Sequence, residues 1–384
     1  MTFNETGILP ALIVALTKES ITEPTPIQAK AVPVLLAGTS AYLNSETGTG
    51  KTLAYLLPLF CRIDTMVEAP QVVVIVPTHE LAIQIQRQSG LLAQNAGLPI
   101  RSVLLIGGTW MPRQIEKLKK RPQVVIGSPG RIYELIAMGK LKVQHVKSVV
   151  IDEADRLLGE DSLTTVRSIL RAIPGKRQLI FVSATEQPAC SSEAGALVPG
   201  LLRIHTGIGQ VNSNIEHVYL VCDERDKPDV LRELIHALRP ERALVFVHRN
   251  ARAEAIAAKL AHHKVAVGDL HGAFDKSERK KAMDDFRSGR ITVLIASDLA
   301  ARGLDIKGIT HVFNVDMPAE SKAYLHRVGR TARAGAKGQA ISLMTDQEVR
   351  LAKRYESELG IRMMPIRLFG GKVLAGKTWG QPLE

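Results

Sequence analysis

Two series of short apolar runs constrain this chain more than any other feature. QVVVIVP (71–77), RSVLLIGG (101–108), QVVIGSP (123–129), VKSVVID (146–152) and QLIFVSAT (178–185) form the first series. ERALVFVHR (241–249), KVAVGDLHG (264–272), RITVLIASD (290–298) and THVFNVD (310–316) form the second. Such runs, apolar throughout and separated by helical stretches, read as strands buried on both faces of a parallel sheet. The expected fold is therefore α/β, with two parallel sheets in tandem, each flanked by helices. A chain of 384 residues is long enough to give each sheet its own core. HTGIGQVNSNIE (205–216) lacks apolar periodicity and reads as a linker. The expected organisation is a first domain over 1–205, a linker over 206–216, a second domain over 217–365 and a short, basic, Gly-rich tail over 366–384, loosely ordered.

Two segments compete for the role of phosphate loop. GKVLAGKT, Gly371 to Thr378, matches G-x-x-x-x-G-K-[ST] in full, yet only WGQPLE follows it. A working loop needs a buried strand before it and a helix after it, so that backbone N–H groups and the helix N-terminus converge on phosphate. SETGTGKT (45–52) has that context, between the apolar AYL and LAYLLPLF, although Ser45 stands where the pattern asks for glycine. There Gly48 and Gly50 turn the chain, Lys51 reaches the phosphates and Thr52 ligates magnesium. VVIDEADRLL (149–158) crowds Asp152, Glu153 and Asp155 into four positions at the end of an apolar strand. Like charges so placed read either as a solvated acidic loop or as a site relieved by a cation or a proton. With a phosphate loop upstream, Asp152 becomes its magnesium partner and an adjacent acid positions water.

Lys plus Arg exceed Asp plus Glu by 50 to 38, a formal +12, which favours a polyanion and nucleic acid above all. At 4% aromatic residues, contact through phosphates and sugars is expected to outweigh base stacking, with little sequence specificity. Cys61, Cys190 and Cys222 are scattered, which fits neither a disulfide framework nor a zinc site and suits a reducing cytoplasm. ILPALIVAL (8–16) is too short for a membrane span and follows Glu5 rather than a basic segment.

The motifs together resemble the DEAD-box ATP-dependent RNA helicases. PTPIQ (24–28), SETGTGKT, PTHELA (77–82), Gly107–Gly108, SPGR (128–131), DEAD (152–155) and SAT (183–185) occur in the family's order. LVFVHRN (244–250), LHGAFDKSER (270–279), ASDLAARGLDI (296–306) and HRVGRTARAG (326–335) continue it, so the likeness spans about 360 residues. It implies two tandem RecA-like domains, ATP and Mg2+ as cofactors, and RNA as partner.

Carried over residue by residue, the resemblance implies that Gln28 reads adenine and that Phe3 stacks on the base. Thr47, Gly48, Thr49, Gly50, Lys51 and Thr52 hold the phosphates, with Thr52 and Asp152 on the metal. Glu153 activates water, while Asp155, Ser183 and Thr185 couple the acids to the SAT segment. From the second half, Arg330 and Arg333 are the implied arginine fingers and Asp305 the ribose contact, while His326 and Arg327 tie their segment to the DEAD acids. Thr78, Gly108, Ser128, Arg131, Gly272, Arg279 and Ser297 are the implied RNA contacts, across the opposite face of both halves. The helix that begins at SPGRIYELI is the implied wedge against a straight duplex.

His79 replaces the family's usual arginine, Lys276 its glutamine, Ser297 its threonine and Ala332 its glycine, which puts RNA affinity in question at His79 and Lys276. The basic run EKLKKR (116–121) reads as a solvated helix face, and His262–His263 lack companion ligands for a metal. The activity expected is RNA-stimulated ATP hydrolysis with local, non-processive unwinding of short duplexes by a monomer. An ATP-dependent clamp or remodelling factor, and protein partners of unknown kind, remain alternatives.

Overall fold

A computed structural model describes residues 2–45, 48–184, 188–206, 212–270, 276–301, 306, 308–332 and 336–376. The chain divides into two units, Met1–Ile208 and Gly209–Glu384. Among the described residues, the strands of the first are β1 Ala41–Ser45, β2 Val72–Ile75, β3 Ser102–Leu105, β4 Val124–Gly127, β5 Ser148–Asp152, β6 Gln178–Ser183 and β7 Leu202–Thr206. They form one parallel sheet in the order β3-β4-β2-β5-β6-β1-β7.

The strands alternate between two cores. Val72 and Val74 pack with the helices on one face, Val73 and Ile75 with those on the other, and all four are buried. Burial on both faces is why these strands read as unbroken apolar runs. The segment 8–16 belongs to a core helix, Pro10–Lys18, with Leu12, Ala15 and Leu16 inside. Among the described residues, no helix is long and apolar enough to cross a membrane.

The second unit carries β8 Ile215–Val221, β9 Ala243–Phe246, β10 Val267–Asp269, β11 Val293–Ala296, β12 His311–Asn314, β13 Gly338–Met344, β14 Met363–Phe369 and β15 Lys372–Ala375. Their order is β10-β11-β9-β12-β13-β8-β14-β15, parallel except for the closing β14–β15 hairpin.

Two boundaries need correction. Thr206 ends β7 and Ile215–Glu216 begin β8, so the linker drawn at 206–216 includes strand residues at both ends. The tail drawn from Ile366 starts inside β14, and its residues as far as Ala375 are a paired hairpin rather than loosely ordered chain. Ile366, Leu368 and Val373 pack on the core of the second unit, which anchors the hairpin. Gly370 and Gly371 adopt φ of 58° and 72°, the paired positive values of a two-residue turn. Glycines taken for disorder are the turn itself.

Candidate nucleotide and RNA sites

The first site grows out of the carboxyl ends of three adjacent strands. Asn44 of β1 stands level with Ser183 of β6, and Val182 of β6 level with Asp152 of β5. Chain leaving β1, β5 and β6 therefore emerges along one edge of the sheet, where ligands of open α/β folds gather. Beyond β1, Gly48 and Gly50 take φ of 82° and 87°, and the helix Lys51–Arg62 begins at once. Its first N–H groups have no carbonyl four residues back, so with Lys51 beside them they form a ready anion site.

Ser45 is explained by its partners. Its hydroxyl donates to Thr49 Oγ1 at 2.8 Å and accepts from Thr206 Oγ1 at 3.0 Å, bracing the loop. Lys51 Nζ donates to the Ser45 carbonyl at 2.5 Å. Thr47 lies outside the described residues. Gln28, buried in the helix Pro26–Leu36, accepts from Thr25 N at 2.9 Å and donates from Nε2 to the Gly50 carbonyl at 3.1 Å. A Cβ built on Gly50 would meet that Nε2 at 2.4 Å, so glycine is required by contact as well as by φ.

Asp152 is a buried acid at the tip of β5. It accepts from Tyr55 Oη at 3.0 Å and from Glu153 N at 2.9 Å. Burial, reinforced by the neighbouring Glu153 carboxylate, pushes its carboxyl up to about 6, against the pull of Lys51. An acid under that pressure suits a cation that would stabilise its ionised form. No group of three His, Cys, Asp or Glu side chains capable of holding a metal occurs among the described residues. Magnesium held mainly by phosphate and water needs no such group, so the residues fit.

Glu153 adopts φ 50° and ψ 52°, a left-handed conformation that costs a non-glycine residue about 1–3 kcal/mol and gathers at functional sites. Its Oε2 lies 3.3 Å from Arg156 Nη1. Asp155 is in the short helix that follows, its carbonyl accepting from Cys190 Sγ at 3.3 Å, while Thr185 lies outside the described residues.

Tyr55 escaped sequence reading. Its signal was spacing, since it stands four residues after Lys51 on one helix face. Burial and the adjacent Asp152 push its phenol well above the usual range, so it stays a donor to the carboxylate.

The RNA candidates of the first unit share the same sheet edge. Thr78 follows β2, Gly108 follows β3, and Ser128 with Arg131 follow β4; Gly127 is level with both Ile75 and Leu105. Their loops thus leave the same carboxyl edge as those of the nucleotide candidates. The β5-β6-β1 side of the edge carries nucleotide candidates and the β3-β4-β2 side RNA candidates. Thr78 Oγ1 accepts from Leu81 N at 3.3 Å, capping the helix His79–Ala96, and Ser128 is the N-cap residue of the helix Pro129–Ala137. Arg131 pairs with Glu134 at 3.0 Å and donates to the Thr109 carbonyl at 3.3 Å. The His79 ring lies against Gly107, 3.7 Å from where a Cβ would stand.

In the second unit, Arg279 donates to the Ala300 carbonyl at 3.0 Å and Ser297 Oγ accepts from Ala300 N at 3.2 Å, so one backbone residue gathers both. Gly272, Asp305 and Arg333 lie outside the described residues. Arg330 follows the helix Ser321–Val328 and donates from Nε to the His326 carbonyl at 3.3 Å.

Arg327 is densely bonded within the second unit. It is buried, bonds both oxygens of Asp298 at 2.6 and 2.8 Å, and donates to Asn314 Oδ1, the Asp316 carbonyl and His248 Nε2 at 3.2, 2.6 and 2.7 Å. All five contacts lie within its own unit. The fork of donors that suits arginine to carboxylates braces the second sheet's carboxyl edge. Ala332, standing for glycine, takes φ 54°, and its carbonyl accepts from Asn212 at 2.8 Å.

A strand, a candidate phosphate loop and a helix in one parallel unit, with a buried acid two strands away and a second α/β unit later in the chain, match the nucleotide-hydrolysing core shared by helicases. The DEAD/DEAH box helicase model matches residues 25–191 and the helicase conserved C-terminal domain model residues 226–335. The chain is 40% identical over 370 residues to the DEAD-box ATP-dependent RNA helicase CshC of Bacillus cereus, covering 96% of this chain and 94% of that one. It is 38% identical to the probable ATP-dependent RNA helicase YfmL of Bacillus subtilis, covering 91% and 93%. Among solved structures, S. cerevisiae Dbp5 bound to RNA and ADP BeF3 matches with a TM-score of 0.85 at 31% identity, over 95% of each chain. The chain belongs to the DEAD-box ATP-dependent RNA helicases, and its two units are RecA-like domains.

The two candidate phosphate loops predict opposite outcomes. The earlier part of GKVLAGKT is the turn and second strand of the β14–β15 hairpin, while Lys377 and Thr378 lie outside the described residues. Lys51→Ala is expected to abolish ATP binding or hydrolysis, whereas Lys377→Ala keeps ATPase activity within a few fold, since Lys51 opens a helix after a strand while GKVLAGKT begins in a hairpin. Steady-state ATPase assays with RNA check the pair. A dead Lys377 variant beside an active Lys51 variant would reverse the choice of loop.

Proposed function

We propose that this protein couples ATP hydrolysis to closure of its two RecA-like domains on RNA, bending and locally opening short duplexes without translocating along them. The observation that carries this reading is the shared sheet edge, where nucleotide candidates follow β1, β5 and β6 and RNA candidates follow β2, β3 and β4. Neighbouring loops on one rigid sheet give the two ligands a common mechanical base. The likeness to Dbp5 bound to RNA and ADP BeF3 supports the same reading.

In the proposed cycle Gln28 reads adenine and ties it to the loop through Gly50. Gly48, Thr49, Gly50 and Lys51, with Thr47, cradle the phosphates. Asp152 and Thr52 hold Mg2+, which neutralises phosphate charge when bound. Glu153 orients water and takes its proton. Asp305 holds the ribose, and Arg330 with Arg333 meets the γ-phosphate on closure. Phe3 is a weaker candidate than its sequence position suggested: at 2% exposure it is a core residue, so a base could not stack on its face without rearrangement. RNA is gripped through phosphates and 2′-hydroxyls by Thr78, Gly108, Ser128 and Arg131, with Gly272, Arg279 and Ser297 from the second domain. The protein acts as a cytoplasmic monomer in this reading.

If closure requires both ligands, ATP and RNA strengthen each other's binding by the same factor. Base pairs left outside the grip must melt unaided at about 1–2 kcal/mol per step, a scale taken from DNA stacking. ATP-dependent strand release should therefore fall steeply as duplexes lengthen from about one helical turn to two, whether the overhang is 5′, 3′ or absent. A length series under excess ATP measures this. Rates insensitive to length, with one overhang polarity required, would indicate directional translocation instead. ATP-dependent retention of RNA with no strand release at any length would favour the clamp reading.

A further inference from the structure

We propose that Trp110 is a base-stacking platform which, with Arg113 and Lys117, extends the RNA-binding surface of the first domain. The inference rests on the RNA reading above. Trp110 is 74% exposed and lies two residues beyond Gly108, on the loop that joins β3 to the helix Met111–Lys119. That loop is pinned from several sides. Thr109 Oγ1 donates to the Ile106 carbonyl at 2.9 Å, the buried Gln114 amide donates to the same carbonyl at 3.0 Å, and Arg131 holds the Thr109 carbonyl at 3.3 Å. An RNA candidate is therefore bonded to the residue next to the tryptophan.

The helix that follows orients the rest of the surface. Met111, Ile115 and Leu118, spaced four and three apart, pack on the core of the domain. Arg113, Lys117 and Lys120, spaced four and three apart on the opposite side, are exposed. Trp110, the N-cap residue of this helix, precedes Arg113 by three positions and so stands at the N-terminal end of the exposed row of cations. A row of cations that begins with an indole on a braced loop is how sequence-tolerant single-strand surfaces are built, the cations tracking phosphates and the ring taking a base face. The run EKLKKR, otherwise a solvated helix face, acquires a partner on this reading. Aromatic residues are only 4% of the chain, so an exposed indole beside the RNA candidates is not explained by aromatic abundance.

The chain has two tryptophans, Trp110 and Trp379, so a Trp379→Phe background makes emission report on Trp110 alone. Titration with a single-stranded RNA decamer is expected to quench that emission at the concentrations where fluorescence polarisation shows binding. Trp110→Ala should weaken binding about 5- to 100-fold and Trp110→Phe by only a few fold, on the scale of one stacked base. In decamers carrying one abasic position walked along the strand, one position should abolish both the quench and the penalty of the alanine variant. Arg113→Ala or Lys117→Ala should reduce the slope of log affinity on log salt by about 0.7 for each phosphate no longer neutralised. Full RNA affinity with unchanged Trp110 emission and an alanine variant that binds like its parent would overturn the platform and leave the RNA reading standing. Failure of the parent to bind RNA at all would overturn both.

Discussion

Alanine at Arg330 is expected to lower RNA-stimulated ATP turnover by about 10³–10⁵, or roughly 4–7 kcal/mol of transition-state stabilisation. In phosphoryl transfer the protein works mainly by position and charge, and the charge spread over the transferring group needs cations on more than one side. Lys51 is the proposed cation from the first domain. Arg330 is the described candidate for another, set just past the helix Ser321–Val328 with its Nε committed to the His326 carbonyl. Lysine at the same position should recover little, because an ammonium cannot reproduce the planar fork of donors. Pre-steady-state hydrolysis with a fluorescent ATP analogue separates rate from affinity. A loss confined to affinity, with the bound-state rate intact, would remove Arg330 from the chemical step.

Glutamine at Glu153 is expected to keep ATP and RNA binding while hydrolysis falls by about 10²–10⁴, the usual effect of losing a general base. The amide has nearly the same volume but cannot accept the proton of the attacking water. The backbone need not change, because the Glu153 N–H to Asp152 bond at 2.9 Å is independent of the side chain. The lost pairing with Arg156 costs little, since both partners are about one-third exposed and exposed pairs contribute at most about 1 kcal/mol. Single-turnover hydrolysis at saturating RNA is the measurement, and turnover near that of the parent chain would exclude Glu153 as the base.

The legible parts of this molecule are those where one physical requirement fixes several residues at once. Strands buried on both faces must be apolar throughout, so β2, β4, β5 and β9 stand out in the bare sequence. β8 escaped because Glu216 and His217 interrupt its apolar run just after the glycine-rich stretch. A phosphate loop needs strand, turn and helix together, a context that favours SETGTGKT over the better-matching GKVLAGKT. Partners distant in sequence were not readable. Nothing local to Arg327 announces Asp298, Asn314, Asp316 and His248, because the sheet order alone brings these strand ends together. Ala332 was seen as a departure from glycine, but its φ of 54° is a property of the fold. The glycine pair at 370–371 was seen and misjudged, since the same residues serve a hairpin turn and a slack tail, and only the apolar alternation on either side decides between them.

If Gln28 reads the base as proposed, its bond to Gly50 makes base preference and phosphate grip inseparable as traits. A change at Gln28 meant to admit another nucleobase would also remove a brace from the phosphate loop, so altered specificity would arrive with weakened catalysis. A bulkier residue at Gly50 would displace the Gln28 amide, the proposed reader of the base. Neither position has an easy first step, and a route to a different nucleotide would require simultaneous change at both ends of one hydrogen bond.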